Sequence, residues 1–519
     1  MAKQSGGLRR SSVRSALPFL LPLAAIAGLY AAALRIGLLS DDYLLFFQGS
    51  PRRSAAFGGI VSSGHYIPAG AWLLYFQSQT CGLDGVCHHA LTLLLFGGLA
   101  SAVVLLGRQL GFPGWQASAA GLLFATSSLP FELPLWANTT VHAASLLAGL
   151  GALASYIQAG RDPRRRWELL AAALLLLALM LHEQALGFVF AAAAWTFFAA
   201  DPVRESAERR RPALRFFLRR LAPWLAVAGS WIVIKLVVPH PGDTLPALSR
   251  GPLSILGGTL FHSLRTFTLS LPAGWAWALL RPPIPGGSIL GPAAVAAAFL
   301  VAGRKLRGVE AFLAAWAVAQ IALMCLASGM SSRHLAVPLV PASLLVAALL
   351  SRATRALEPR GLRALVFALA VGLLAGFGAW QVRARVEAYL ASSRWVESLF
   401  SSAEAAIRSH PSASRLVAWD LPDGVRLGES EPAFALRYGF EPEIVRRFPG
   451  RFISVSRVRS SPPPAWAAPF GAPADIRSLA VEAEAGTILV LRCPGLGQPF
   501  EVWPSDGASV SSTRTAAVP

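Results

Sequence analysis

The stretch ALPFLLPLAAIAGLYAAALRIGLLSDDY, from Ala16 to Tyr43, decides how the chain is read. Residues 16–34 carry no charge and are long enough to cross a hydrocarbon core of ~30 Å as a helix. Leu38-Leu39-Ser40-Asp41-Asp42-Tyr43 follows almost at once, so two adjacent carboxylates sit where a span meets water. Charge near the hydrocarbon edge loses hydration, and neighbouring carboxylates oppose each other's ionisation, so such a pair is costly unless something uses or neutralises it. Asp41 and Asp42 are therefore a candidate acid–base site. The plainer reading is a polar loop that ends the first helix.

The rest of the chain agrees with a membrane setting. Its 519 residues are 54% apolar and 14% charged, with mean hydropathy +0.53, which suits a polytopic membrane protein with some soluble mass. A formal charge of +19 would suggest nucleic acid in a soluble protein. Here the arginines cluster in short segments between apolar runs, the distribution that orients spans, so nucleic acid is excluded as a partner. Lysine is confined to Lys3, Lys235 and Lys305 while Arg and Ala abound, a bias that fits a GC-rich bacterial genome. Lys3, Arg9, Arg10 and Arg14 precede the first run like a signal peptide, but the run is longer than a signal core and reads as an uncleaved span. Of the four cysteines, Cys81 and Cys87 share one predicted external loop and could pair in an oxidising compartment, or stand as two thiols. Cys87-His88-His89 matches no zinc-ligand spacing.

Apolar runs fall near 16–34, 88–106, 115–130, 139–158, 166–182, 184–200, 218–238, 288–303, 309–327, 335–351 and 362–382. They predict an all-α polytopic fold of about eleven transmembrane helices. With this count the Arg-bearing connectors (the N-terminus, Arg108, and segments 161–166, 204–220, 304–307 and 352–363) share one side, the cytoplasm. Segment 257–280 contains His262, Arg265 and Pro272 and reads as an interfacial or re-entrant helix, and residues 66–79, broken by Pro68 and Gly70, as a surface-lying one. Residues 1–382 form the membrane domain. Residues 383–519 form a small α/β extracytoplasmic domain: helix over 383–410, strands over 415–420 and 451–458, a hairpin over 478–492 across Ala485-Gly486, and a disordered tail.

On this topology Asp41, Asp42, His65, Glu132, His142, His182, Glu183, Arg333 and His334 all lie at or near the outer face. Each has a bland reading: Glu132 as a helix cap, His65 in a wet loop, His182-Glu183 as a polar turn. Together they describe an external cavity whose carboxylates could deprotonate a hydroxyl or hold a divalent metal, and whose Arg333 and His334 could neutralise a phosphate. Nothing in the spacing requires a metal or other cofactor.

The chain resembles the GT-C superfamily of membrane glycosyltransferases, nearest the branch of protein O-mannosyltransferases, lipid A aminoarabinose transferases and tetratricopeptide-linked O-mannosyltransferases. The residues that carry this are Ser40-Asp41-Asp42-Tyr43, Gly64-His65-Tyr66-Ile67-Pro68, Gly82-Leu83-Asp84 and His88-His89. They continue with Leu123-Phe124-Ala125 before Pro130, Glu132 and Trp136, then Leu181-His182-Glu183-Gln184, and Ser332-Arg333-His334-Leu335 before Pro338. Their order over roughly 20–350 tells more than any one of them. The resemblance implies many helices, an active site at the outer face, a sugar donor on a polyprenyl phosphate, and Asp41 or Asp42 as the catalytic carboxylate. His182 stands where the family often has Lys, Glu132 follows Pro130 at a shorter spacing, and the C-terminal part is no repeat array, so donor sugar and acceptor stay open.

The function expected is inverting transfer of a sugar from a polyprenyl-phosphate-linked donor to a hydroxyl of a glycan, lipid or protein acceptor, in a bacterial inner membrane among membrane lipids. Arg333, His334 and Arg265 would bind the donor phosphate. The alternatives are a transporter or flippase of lipid-linked sugars, which needs midplane polar residues and internal symmetry, and a non-enzymatic envelope scaffold. Reporter fusions at residues 160, 210 and 400 test the topology. The first two should report from the cytoplasm and the third from outside; a cytoplasmic signal at 400 removes the basis for a shared outer site.

Overall fold

The computed structural model describes residues 5–40, 42–43, 60–61, 65–162, 164–199, 210–237, 258–259, 262–263, 266–267, 306, 308–327, 332–419, 421, 424–425, 433–434, 440–448, 454–459, 472–473, 488–492 and 500–503. The helices are α1 (Ser5–Tyr30), α2 (Pro68–Cys81), α3 (Gly85–Gln109), α4 (Gly114–Thr126), the single turn α5 (Glu132–Leu135), α6 (Thr140–Arg161), α7 (Arg165–Leu181) and α8 (Gly187–Phe198). They continue as α9 (Arg210–Val237), α10 (Val309–Ala327), α11 (Ala336–Ala353), α12 (Arg360–Ser409) and α13 (Phe440–Arg447). The architecture is the mostly helical membrane fold that the sequence predicts.

Among the described residues seven helices are long and apolar enough to span, against the eleven runs counted in the sequence. For three of the four remaining runs the difference is one of helix length. Run 115–130 forms the 13-residue α4, run 166–182 the 17-residue α7, and run 184–200 the shorter apolar helix Glu183–Phe198. Run 288–303 lies outside the described residues. Hydropathy counts apolar residues without seeing where a turn breaks the helix: α4 ends before Ser127-Ser128-Leu129-Pro130, where proline denies the preceding residue helical backbone. Of segment 257–280 only six residues are described, all helical. Residues 66–79 form most of α2, too short to span at 14 residues, with Trp72 and Phe76 stacked and exposed.

Leu94, Leu236 and Leu373 are 72%, 80% and 74% exposed, an outer surface that suits acyl chains and would be a liability in water. Inside, helices approach closely where glycine permits. A Cβ on Gly378 of α12 would collide with the Thr126 carbonyl at the end of α4. Ser128 donates to Gln381 one turn further on. The segment 127–139 is thus suspended between α12 and α6.

With 50 residues α12 extends ~75 Å, more than twice a hydrocarbon core. It runs unbroken through residues 382 and 383 and carries the chain beyond the bundle. There Gly37 N–H donates to Ser393 Oγ (2.7 Å) and Tyr43 meets Phe400 edge-on at 5.4 Å, so the C-terminal part sits at the end of the bundle that holds Asp42.

Its sheet has the order β7 (Ala472–Pro473), β6 (Ser454–Arg459), β3 (Arg415–Trp419), β8 (Ile488–Arg492), β9 (Glu501–Trp503). β3 runs parallel to both β6 and β8, with Leu416 opposite Val455 and Leu489. The hairpin expected over 478–492 is corrected: β8 is flanked by β3 on one edge and, antiparallel, by β9 on the other, so its hairpin partner lies downstream. A buried parallel strand reads as a plain apolar run and gives no register signal. Short ladders pair β1 (Ile60–Val61) with β2 (His65–Tyr66) and β4 (Gly424–Val425) with β5 (Ala433–Phe434).

Cys81 and Cys87 form a disulfide. It closes the turn between α2 and α3, where Asp84 caps α3 by accepting from Val86 N–H at 2.9 Å. Gly378→Ala should lower stability by about 1–3 kcal/mol through overpacking, read as a lower thermal midpoint in detergent; an unchanged midpoint shows that α12 can move away from α4 at no cost.

Candidate functional site

The turn after the first span is built around a buried carboxylate. Ser40 adopts φ +48°, a conformation rare for a non-glycine residue, and Asp42 N–H closes the turn onto the Leu39 carbonyl at 2.9 Å. Asp42 is fully buried. Its Oδ2 accepts from Leu39 N–H and its Oδ1 from Asn138 N–H, each at 2.9 Å. One side chain thus ties the first loop to a backbone 96 residues away. Indole Nε1 of Trp136 adds a bond to the Leu39 carbonyl at 3.3 Å. Asp41 lies outside the described residues.

The far side of this clamp is the segment between α4 and α6. Thr139 Oγ1 donates to the carbonyls of Trp136 (2.6 Å) and Leu133 (2.8 Å), folding the segment on itself. Glu132, at the first position of α5, is 5% exposed. Its N–H donates to Ser332 Oγ at 3.0 Å, and its Oε2 accepts from both the backbone N–H and Nη1 of Arg333 at 3.3 Å. The Arg333 guanidinium lies over the Trp136 ring at 5.3 Å. Asp42, Leu39, Trp136, Arg333 and Glu132 are therefore one connected unit. Arg333 keeps a quarter of its side chain accessible, so it is held but not enclosed. A cation stacked on an aromatic face and paired to a carboxylate loses less freedom when it takes a further anion.

Next to Arg333, His334 turns away toward two other imidazoles. Its ring centroid is 5.6 Å from His142 and 6.2 Å from His182, which stand 3.9 Å apart. All three are buried, come from three separate segments, and place one ring nitrogen each within 4.8 Å of the others. Among the described residues this is the group that could hold a transition metal. Three nitrogens on one tetrahedral ion stand roughly 3.3 Å apart, so the rings would have to close in. His182 Nδ1 accepts from Gln184 N–H at 3.3 Å, which places the proton of a neutral ring on Nε2; binding through Nε2 would break that bond.

Of the other expected residues, Glu183 pairs with Lys235 of α9 at 2.7 Å. His65 lies on β2, and Arg265 is outside the described residues. His88 is structural: it bridges Gln77 Nε2 and the Gly82 carbonyl, both at 3.0 Å. Several neighbours escaped the sequence reading. Lys235 could have been found, since it is an ionisable residue near the far end of the apolar run 218–238. Arg385, over Phe131 at 4.5 Å, and Tyr389, facing Phe131 at 6.1 Å, reach the site from α12 beyond its apolar stretch, where a helix pattern does not say what it faces. Tyr43 packs behind the clamp, where burial first, and then the Glu443, Asp42 and Glu397 carboxylates, push its hydroxyl pKa up, so it stays neutral.

No protein-family profile matches the chain and no curated protein matches it by sequence. Solved structures do. The apo structure of ArnT from Cupriavidus metallidurans matches at 14% identity and TM-score 0.45 over 93% of this chain and 94% of that one. The same protein bound to undecaprenyl phosphate matches at 13% and 0.46 over 93% of each. The archaeal oligosaccharyltransferase AglB from Archaeoglobus fulgidus, in complex with an inhibitory peptide and a dolichol-phosphate, matches at 13% and 0.42 over 77% of this chain and 62% of that one.

Asp42→Asn replaces one carboxylate oxygen by an amide that cannot accept from the backbone, leaving a buried N–H without its bond. That should cost about 1–3 kcal/mol and lower the thermal midpoint in detergent. A midpoint equal to the parent's would show that Asp42 does not hold the two segments together.

Proposed function

We propose that this protein is a GT-C-type membrane glycosyltransferase that moves a sugar from a polyprenyl-phosphate-linked donor to an acceptor hydroxyl at the outer face of the membrane. The observation that carries the reading is the buried Asp42–Trp136–Arg333–Glu132 unit at one end of the bundle. It fixes a cation beside the loop that bears Asp41, in the order of motifs that the sequence shares with the superfamily.

In this reading the two aspartates divide the work. Both oxygens of Asp42 are engaged by backbone N–H groups, so Asp42 positions the loop. Asp41 is the base. It takes the acceptor's proton as the acceptor oxygen bonds to the anomeric carbon from the face opposite the leaving group. The bond from that carbon to the donor phosphate oxygen breaks, its electron pair stays on the phosphate, and the configuration inverts. Negative charge grows on the leaving phosphate, where Arg333 contributes most. Arg265 is a second candidate for that phosphate. His334 serves through its group with His142 and His182, which line the same end. The disulfide Cys81–Cys87 supports an oxidising, extracytoplasmic setting for this end, and with it a cytoplasmic-membrane location with the C-terminal part outside. The acceptor is a glycan, lipid or protein hydroxyl.

Single-turnover transfer from a labelled polyprenyl-phosphate sugar, with purified variants in lipid, tests this. Asp41→Asn should lower the rate about 100-fold or more with an unchanged thermal midpoint. Arg333→Lys keeps the charge but loses the planar fork and should slow transfer about 100-fold, the usual cost of one missing donor to a developing anion. Parental rates in both variants would remove the mechanism.

A further inference from the structure

At the end of the bundle away from Asp42, α6, α7 and α9 border an open cavity of about 410 Å³, lined by Tyr156, Glu168, Phe216, Arg219, Arg220 and Trp224. Tyr156 is fourteen residues beyond His142 on the same helix, so the cavity lies ~21 Å along the bundle from the histidines. It is a separate place with separate chemistry.

The cavity is built rather than left over. The Arg220 guanidinium lies over the Tyr156 ring at 4.8 Å, and its Nη2 donates to the Tyr156 carbonyl at 3.0 Å. Gly160, one turn on, has no side chain to collide with that guanidinium; a Cβ there would overlap it. Trp224 supports the Tyr156 ring edge-on at 5.1 Å, and the Tyr156 hydroxyl bonds Thr196 Oγ1 at 2.6 Å. Arg219 and Glu168 are exposed at the cavity. Among the described residues Arg219, Arg220 and Glu168 form no ion pair with one another or with any other group. Two cations and one anion thus share a pocket without neutralising each other.

The surroundings identify the ligand's phase. Leu169, Leu218 and Leu225, beside the lining residues in sequence, are 59%, 50% and 48% exposed and belong to the apolar outer surface. The turn from α6 to α7 is polar, with Asp162 paired to Arg164 (3.3 Å) and accepting from Trp167 Nε1 (3.2 Å), as at a membrane–water boundary. A pocket at that level, open between apolar flanks, meets a lipid headgroup with its chains alongside.

We infer that this cavity binds the headgroup of an aminophospholipid, with its phosphate on Arg219 and Arg220 and its ammonium on Glu168. The two guanidiniums match the phosphodiester oxygens as donor forks, and the carboxylate selects for the amine. A glycerol headgroup offers Glu168 no cation. The inference does not rest on sugar transfer.

Native mass spectrometry of the full-length protein in detergent, with equal amounts of phosphatidylethanolamine and phosphatidylglycerol, reads it directly. The parent should retain the ethanolamine lipid in preference. Arg219→Gln with Arg220→Gln should weaken retention, about fivefold for each charge lost. Glu168→Gln, a change at an exposed position, should keep binding but erase the preference, and it serves if the double variant does not fold. Soluble phosphoethanolamine at equal concentration should leave the lipid in place; displacement would mean a soluble ligand and overturn the lipid assignment. Equal retention of both lipids by the parent, or undiminished retention in a folded double variant, overturns the proposal.

Discussion

The Asp42 carboxylate is the constraint on which this end of the helical bundle depends. A buried carboxyl needs hydrogen bonds, and the two oxygens find theirs in Leu39 N–H and Asn138 N–H. Because those donors belong to different segments, the local need to satisfy one carboxyl group fixes a long-range geometry. Both segments are otherwise weakly specified: one is a short turn held in a strained conformation at Ser40, the other a run of short turns between α4 and α6. Replacing one of the two oxygens by a donor would strand one backbone N–H and weaken the tie between the loop and the bundle.

From that clamp the arrangement propagates by contact. Trp136 bonds the same carbonyl that closes the turn and presents its ring to Arg333. Glu132 takes the backbone and side chain of Arg333 together, so residues 201 positions apart share one orientation. Donors act best on a developing charge when they need not reorganise as it forms, and these contacts hold the Arg333 guanidinium in one place. The long α12 braces the unit from behind through Phe131, Tyr389 and Arg385. Its extension beyond the apolar stretch carries the C-terminal part to the same end of the bundle.

Much of this was legible in the sequence because membrane helices are written in apolar composition. The runs that became α1, α3, α6, α9, α10, α11 and α12 were visible for that reason, as was the cluster of polar residues between them. What composition could not say is how polar groups partner. That both oxygens of Asp42 are bound to backbone N–H groups of separate segments is seen only in the fold. His142, His182 and His334 are unrelated in sequence, and only the crossing of three segments makes them a group. The downstream partner of β8 was missed because an apolar strand does not encode its neighbour, while Lys235 was overlooked in a run whose apolar residues dominated the reading.

The proposed activity would add one sugar to a component of the cell envelope. Mass spectrometry of envelope glycans, lipids and glycoproteins from cells with and without the protein addresses it most directly. One component should differ in mass by a single sugar residue, and its modification should return when the protein is restored. Identical profiles in the two strains, under conditions where the protein is shown to be present and folded in the membrane, would contradict it.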